Sequence, residues 1–180
     1  MNFIEFESAQ KLRGGFYTEP SIASFLVKWI SGAKPKSILE PSCGDGAFLD
    51  AIEKQRVSSL TRITACELDE EEAAKASVRT KLPVRVFNKD FLCWYFSQGQ
   101  DGEKFDAVVG NPPFIRYQYL PDAQQLLAAR IFSQLGLPFT KHTNAWVPFV
   151  LASIALLRPG GRIAMVIPSE IFHIPHAQSL

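Results

Sequence analysis

Five short apolar runs separated by helical stretches restrict the fold of this chain more than any other feature. Strands are expected at Ser37–Glu40, Arg62–Glu67, Val84–Asn88, Phe105–Gly110 and Arg162–Ile167. Between them lie helical segments from about Gly46 to Arg56, from the Asp69 cap to about Thr80, and from Asn144 to Leu157. Strict β-α-β-α order reads as an α/β fold with a doubly wound, mainly parallel, Rossmann-like sheet. A leading helix is expected from Tyr17 to Ser31, with Ile22, Phe25, Leu26, Trp29 and Ile30 at helical spacing as its buried stripe. Thr18 or Glu19 can cap it, and Gly32 and Pro35 stop it. Trp29, Trp94 and Trp146 are all expected in the core.

At 180 residues the chain has room for one domain. Its segments read as a leading helix (1–36), a first half with a glycine loop (37–110) and a second half (111–180) holding an insertion at 114–143. Pro121-Asp122 can start a helix there, running to about Phe132. Insertions of this length at the carboxyl end of a strand are usually functional. A net charge of +1 excludes a strongly basic nucleic-acid glue. Three cysteines, Cys43, Cys66 and Cys93, without a Cys-x-x-Cys pair argue against a disulfide framework or zinc ribbon and for a reducing cytoplasm. His173 and His176 lack nearby Cys or acid ligands, so no metal is expected. Met1–Ser8 has no basic segment, and the longest apolar run, Trp146–Leu157, is too short to span a bilayer, so neither secretion nor a membrane is expected.

Four motifs carry chemistry. Glu40-Pro41-Ser42-Cys43-Gly44-Asp45-Gly46-Ala47-Phe48 joins a strand to a helix, and its glycines let a ligand approach backbone. Leu49 stands where a dinucleotide loop needs its third glycine, and there is no phosphate-binding Lys, so the loop suits a nucleoside without a pyrophosphate. Cys43 reads as a small filler. Glu67, ending the second strand, can accept both hydroxyls of a ribose. After the third strand, Asp90 can accept from an adenine amino group while Phe91 supports the ring. After the fourth, Asn111-Pro112-Pro113-Phe114 makes a stiff turn, since each proline lacks an N–H and extends its predecessor. That turn offers two acceptors, the Asn111 side-chain oxygen and the Pro112 carbonyl, to a planar –NH2 group, with Phe114 as a flat face. Ligands in such sheets bind where strand order reverses. If the first and fourth strands flank that point, the glycine loop and Asn111 become neighbours.

Together these residues resemble the S-adenosylmethionine-dependent amino-methyltransferases of DNA, in particular the adenine-N6 enzymes of restriction–modification systems. Phe16-Tyr17-Thr18-Glu19-Pro20 is similar to the family's leading motif, with Glu19 as a departure before the proline. Glu40–Phe48 resembles its glycine loop, Asn111–Phe114 its catalytic tetrapeptide, and Asn144 through Pro159-Gly160-Gly161 to Ile167-Pro168 its later segment. The resemblance implies cofactor contacts at Tyr17, Thr18, Glu40, Ser42, Gly44, Glu67, Leu68, Asp90, Phe91 and Pro113. It implies catalysis by Asn111, Pro112, Pro113 and Phe114 on an adenine flipped out of DNA. Substrate contacts are expected at Phe114, Arg116, Tyr117 and Asn144.

Residues 1–110 carry 14 Lys/Arg and 16 Asp/Glu, residues 111–180 five and two, so the second half is net +3. Arg116, Tyr117, Tyr119, Arg130, Phe132, Lys141 and His142 interleave basic and aromatic groups suited to phosphates and bases or, equally, to packing the insertion. The resemblance further implies two more strands and a target-recognition domain. Neither fits before Leu180, so the chain is expected to be the front of a longer one, its last strand an open edge, with a nuclease or specificity module as partner. The residues alone leave other acceptors open: an adenine in RNA, a protein glutamine (disfavoured by the leading motif), or no chemistry at all in a cofactor-binding subunit.

Overall fold

Side-chain alternation along the strands sends apolar groups to both faces, so the sheet must be covered twice. The computed structural model describes residues 17–99, 102–140 and 143–169. Phe16, Lys141, His142, His173 and His176, and the Met1–Ser8 start, lie outside the described residues. The elements are α1 (Pro20–Ser31), β1 (Ser37–Glu40), α2 (Ala47–Gln55), β2 (Arg62–Glu67), α3 (Glu70–Val78), β3 (Val84–Asn88), α4 (Phe91–Trp94), β4 (Phe105–Gly110), α5 (Asp122–Gln134), α6 (Trp146–Ala155) and β5 (Leu157–Met165). All strand pairs are parallel, in the order β3-β2-β1-β4-β5, so the order reverses between β1 and β4, the condition under which the glycine loop and Asn111 become neighbours. Among the described residues β5 pairs with β4 alone and is an edge. Among the described residues no helix is long and apolar enough to cross a membrane.

One face of the sheet packs Ile38, Ile63, Ala65, Ala107 and Val109 against Ala23, Val27 and Ile30 of α1 and Phe48, Leu49 and Ile52 of α2. The other packs Leu39, Cys66, Phe105 and Val108 against Phe91, Leu92 and Trp94 of α4, Ile131 and Phe132 of α5, and Phe149 and Ala152 of α6. At the end of the sheet away from the strand carboxyl termini, the Asp106 carboxylate accepts from the backbone N–H of Lys36 and Ser37, both at 2.9 Å, and from Arg158 on β5. That single carboxylate staples three strands together.

Three expectations need correction. The stripe expected to be the buried face of α1 is largely on the outside: Phe25 is 72% exposed, Trp29 55% and Ile22 44%, and only Ile30 of the five is buried. The helix is apolar almost all round, and the smaller Ala23 and Val27 permit its close approach to α2. Trp29 is therefore not core but lies under the Arg162 guanidinium, 4.6 Å from its ring centroid, while Trp94 and Trp146 are buried. Finally, β5 begins at Leu157, paired with Phe105, and Pro159-Gly160-Gly161 is an irregularity within it rather than the loop before it.

Candidate active site

Loops at the carboxyl ends of β1, β2, β3 and β4 surround a cavity of about 490 Å³, within the size range of small-molecule sites. After β1 the chain turns through Gly44 (φ +53°) and Gly46 (φ +99°), conformations that L side chains rarely adopt. A Cβ at Gly44 would meet nothing within 4 Å, whereas at Gly46 it would press on the Arg79 side chain at 3.3 Å. Arg79 grips this loop from α3, bonding Asp45 through one nitrogen (2.6 Å) and Asp50 through two others (2.8 and 3.0 Å).

Glu67 faces the glycine loop from β2. Its Oε2 accepts from the Gly44 N–H at 2.8 Å and its Oε1 from the Asp69 N–H at 2.9 Å. Both oxygens are thus aimed by backbone donors, and each keeps a second lone pair. Asp69 caps α3 by accepting from the N–H groups of Glu71 and Glu72, which places Glu71, Glu72 and Lys75 along the same wall.

Asp90 both caps α4, through the Cys93 N–H at 2.9 Å, and accepts from the Gln124 side-chain amide at 3.2 Å. Burial pushes its carboxyl above the ordinary range, against the lowering effect of the Cys93 and Leu92 N–H groups. Phe91 and Phe149, with ring centroids 5.2 Å apart, line this end of the cavity.

The proline turn stands on the opposite wall, and the Ser42 hydroxyl donates to the Asn111 carbonyl at 3.0 Å, joining it to the glycine loop. Gly110 makes that closeness possible, since a Cβ there would lie 3.2 Å from Pro41. Asn111 and Pro113 line the cavity, and the Asn111 Oδ1 is buried from bulk solvent.

Glu40 ends β1 fully buried, and among the described residues neither of its carboxylate oxygens has a hydrogen-bond partner. Burial first, then repulsion from Glu67 and Asp45, raises its pKa well above the ordinary carboxylate value. An orphaned carboxylate at this depth matches a cationic ligand group better than a structural role. Cys43 is buried, and desolvation with the neighbouring Glu40 pushes its thiol up, consistent with a packing residue.

Of the residues expected here, Tyr17, Ser42, Gly44, Glu67, Leu68, Asp90, Phe91, Asn111 and Pro113 line the one cavity. Thr18, Glu40, Pro112, Phe114, Arg116, Tyr117 and Asn144 do not. Tyr117 is buried instead in the insertion's own small core, its hydroxyl bonded to the Gln125 carbonyl and its ring 5.1 Å from Phe139. Phe132 packs on the same Phe139, while Arg130 lies over Phe96. Arg116 and Tyr119 are exposed, and the backbones of Arg116 and Asn144 form an isolated antiparallel bridge. Sequence reasoning missed Glu71, Glu72, Lys75, Ile115, Gln124 and Phe149 as cavity residues. The acidic turn after Glu67 hinted at the first two. Nothing in the sequence marked Gln124. Among the described residues no group of three His, Cys, Asp or Glu side chains is placed to hold a metal.

A family model described as Eco57I restriction-modification methylase matches residues 25–180. The type II methyltransferase M.AccI of Acinetobacter calcoaceticus is 32% identical over 161 residues, covering 88% of this chain and 28% of the relative. M.HincII of Haemophilus influenzae, also a type II methyltransferase, is 26% identical over 174 residues, 97% of this chain and 31% of the relative. The chain thus spans about a third of the length of such curated relatives. The methyltransferase subunit of a type I restriction-modification system from Streptococcus thermophilus shares the fold, with a TM-score of 0.64 at 19% identity over 87% of this chain and 35% of that one.

Proposed function

This chain belongs to the Eco57I restriction-modification methylase family, and from that premise we propose that it binds S-adenosylmethionine and serves methylation of the exocyclic N6 amine of adenine in DNA. The observation that carries the reading is the hydrogen bond from Ser42 to the Asn111 carbonyl. It brings the glycine loop and the proline turn, far apart in sequence, onto one cavity. The residues present fit the methyl donor. Open space above Gly44 admits a ligand beside backbone, Glu67 retains a lone pair on each oxygen for ribose hydroxyls, and the Glu40 carboxylate awaits an ammonium group. When bound, the donor supplies an electrophilic methyl group on a sulfonium.

The chain's own part is alignment. An aromatic amine is a poor nucleophile because its lone pair is delocalised into the ring. The Asn111 Oδ1 and the Pro112 carbonyl accept its two N–H bonds, draw the nitrogen toward tetrahedral geometry and localise the pair toward the cavity. Pro113 fixes that carbonyl's direction by its constrained backbone, and we assign contact with the base to Phe114 and Asn144, which lie near the turn but outside the cavity lining. In duplex DNA the adenine must first leave the stack. Arg116 and the net +3 of residues 111–180 attract phosphate only weakly, so a recognition module or partner chain, and in the cell a nuclease of the same system, complete the work.

Titration with S-adenosylhomocysteine, followed by transfer of labelled methyl to DNA, RNA and protein acceptors, tests the proposal. The chain is expected to bind the product and to label adenine in DNA. Asn111→Ala is expected to keep binding and lose transfer, and unchanged transfer refutes the assignment. Label on RNA adenine or protein glutamine instead would reassign the acceptor. Binding without transfer would make the chain a donor-holding subunit completed by a partner.

A further inference from the structure

We infer that Gln124, on the helix inserted after the catalytic turn, reads the base of the methyl donor jointly with Asp90; this rests on the donor-binding reading above. The Gln124 amide nitrogen lies 3.2 Å from the Asp90 Oδ2, and both residues line the cavity beside Phe91 and Phe149. A carboxylate only accepts, so it fixes which way the Gln124 amide faces: nitrogen toward Asp90, with the second N–H free to donate elsewhere. The pair therefore presents an acceptor next to a donor. The Watson–Crick edge of adenine is the complement, an amino donor at N6 next to an acceptor at N1. Hypoxanthine carries the opposite order, a carbonyl acceptor at position 6 and a donor at N1, and would meet two mismatches at once. Polar groups left unpaired where a bound ligand excludes water are penalised, and this pair is half-buried already.

The position of Gln124 adds a second consequence. It sits in the first turn of α5, which is tethered at Pro121 by the Gln124 and Gln125 N–H groups. The same side chain that reads the base thus fastens the 114–143 insertion over α4. Helix α5 is therefore held beside the cavity by its contact to Asp90.

The test compares S-adenosylhomocysteine with its inosyl counterpart by calorimetric titration of the chain and of Gln124→Leu and Gln124→Glu. The unsubstituted chain is expected to prefer the adenosyl compound strongly. Gln124→Leu should weaken adenosyl binding about tenfold and narrow the preference by a similar factor. Gln124→Glu sets a second carboxyl group against Asp90, and the pair must share a proton; with that proton on the contact, the outward Glu oxygen accepts from hypoxanthine N1 and should narrow the preference further. Far-ultraviolet spectra and melting curves like those of the parent secure the comparison. A purely structural role for Gln124 would weaken both compounds equally, so a ratio unchanged in both variants overturns the inference while leaving donor binding intact. Failure of the unsubstituted chain to bind either compound overturns the donor reading and this inference with it.

Discussion

Replacing Glu40 by Gln should make the free protein more stable at neutral pH while weakening its hold on the methyl donor. The carboxylate is fully buried, has no hydrogen-bond partner among the described residues, and sits near Glu67 and Asp45. In the folded chain its pKa is therefore raised, whereas in the unfolded chain it takes the ordinary value of about 4.3. Between those two values the folded state binds a proton that the unfolded state has lost. Stability therefore falls as pH rises through that window, by up to about 1.4 kcal/mol per pH unit. Below about pH 4.3 the group is protonated in both states and costs little.

Binding should show the opposite slope. An ammonium group pairs with ionised Glu40, so donor affinity should rise with pH over the same window, by up to about tenfold per unit, and level off once the folded carboxyl has ionised. Urea unfolding of parent and Glu40→Gln at pH 5, 6, 7 and 8, with parallel titrations of S-adenosylhomocysteine, reads both slopes. The difference between parent and variant isolates Glu40 from the histidines, which titrate in the same range. Stability curves that draw together toward pH 5 and separate above it are expected. Parallel stability curves across the whole range would refute the buried-charge argument, whatever happened to binding.

Two further substitutions test the walls of the site. Gly44→Ala meets no neighbour, so it should cost only the strain of a left-handed backbone, about 1 kcal/mol. Yet it should weaken donor binding by more than that, because its methyl points into the space the ligand crosses. Denaturant midpoints and titration separate the two effects, and equal losses in both would count against a ligand beside Gly44. Arg79→Met keeps the aliphatic stem against Gly46 but releases Asp45 and Asp50; because the pairs are partly exposed, stability should fall by no more than about 1 kcal/mol. Loosening the loop should raise KM for the donor with kcat little changed, and a fall in kcat alone would contradict a positioning role.

How much of this was legible beforehand follows from where each signal resides. Strands β1 to β4 and the glycine and proline turns were readable because alternation and punctuation are local properties. The meeting of Ser42 with Asn111 depends on the strand order reversing between β1 and β4, which the β-α-β-α pattern allows but does not fix. The buried face of α1 was misread because Ile22, Ala23, Phe25, Leu26, Val27, Trp29 and Ile30 leave almost no polar side to orient it. Only packing against α2 settles that the smaller residues turn inward. The start of β5 was misplaced because Pro159-Gly160-Gly161 looks like a helix stop. In fact Leu157 pairs with Phe105 and Arg162 with Ala107, so the extra residues bulge within one strand. Gln124 was invisible because its role depends on α5 folding back over α4, a long-range contact with no local period.

The charge of the cavity wall bears on which ligands the site can accept. Glu67, Asp69, Glu71, Glu72 and Asp90 line it, against only Lys75 and Lys89. Lys75 is paired with Glu72 at 2.6 Å, and Lys89 donates to Ser97 at 3.0 Å. Glu40, buried behind the loop with its pKa raised, adds to the same sign once it ionises. Nucleotide phosphates would meet repulsion here with no arginine among the lining residues to offset it. A nucleoside bearing ammonium and sulfonium charges instead meets a complementary field, strengthened by burial. Residues 111–180 carry a net +3 along the sequence, but Arg158 pairs with Asp106 at the far end of the sheet, Arg162 lies over Trp29 and Arg130 over Phe96, which leaves Arg116 exposed just after the proline turn. The proline turn thus borders an acidic recess whose charge suits a cationic ligand.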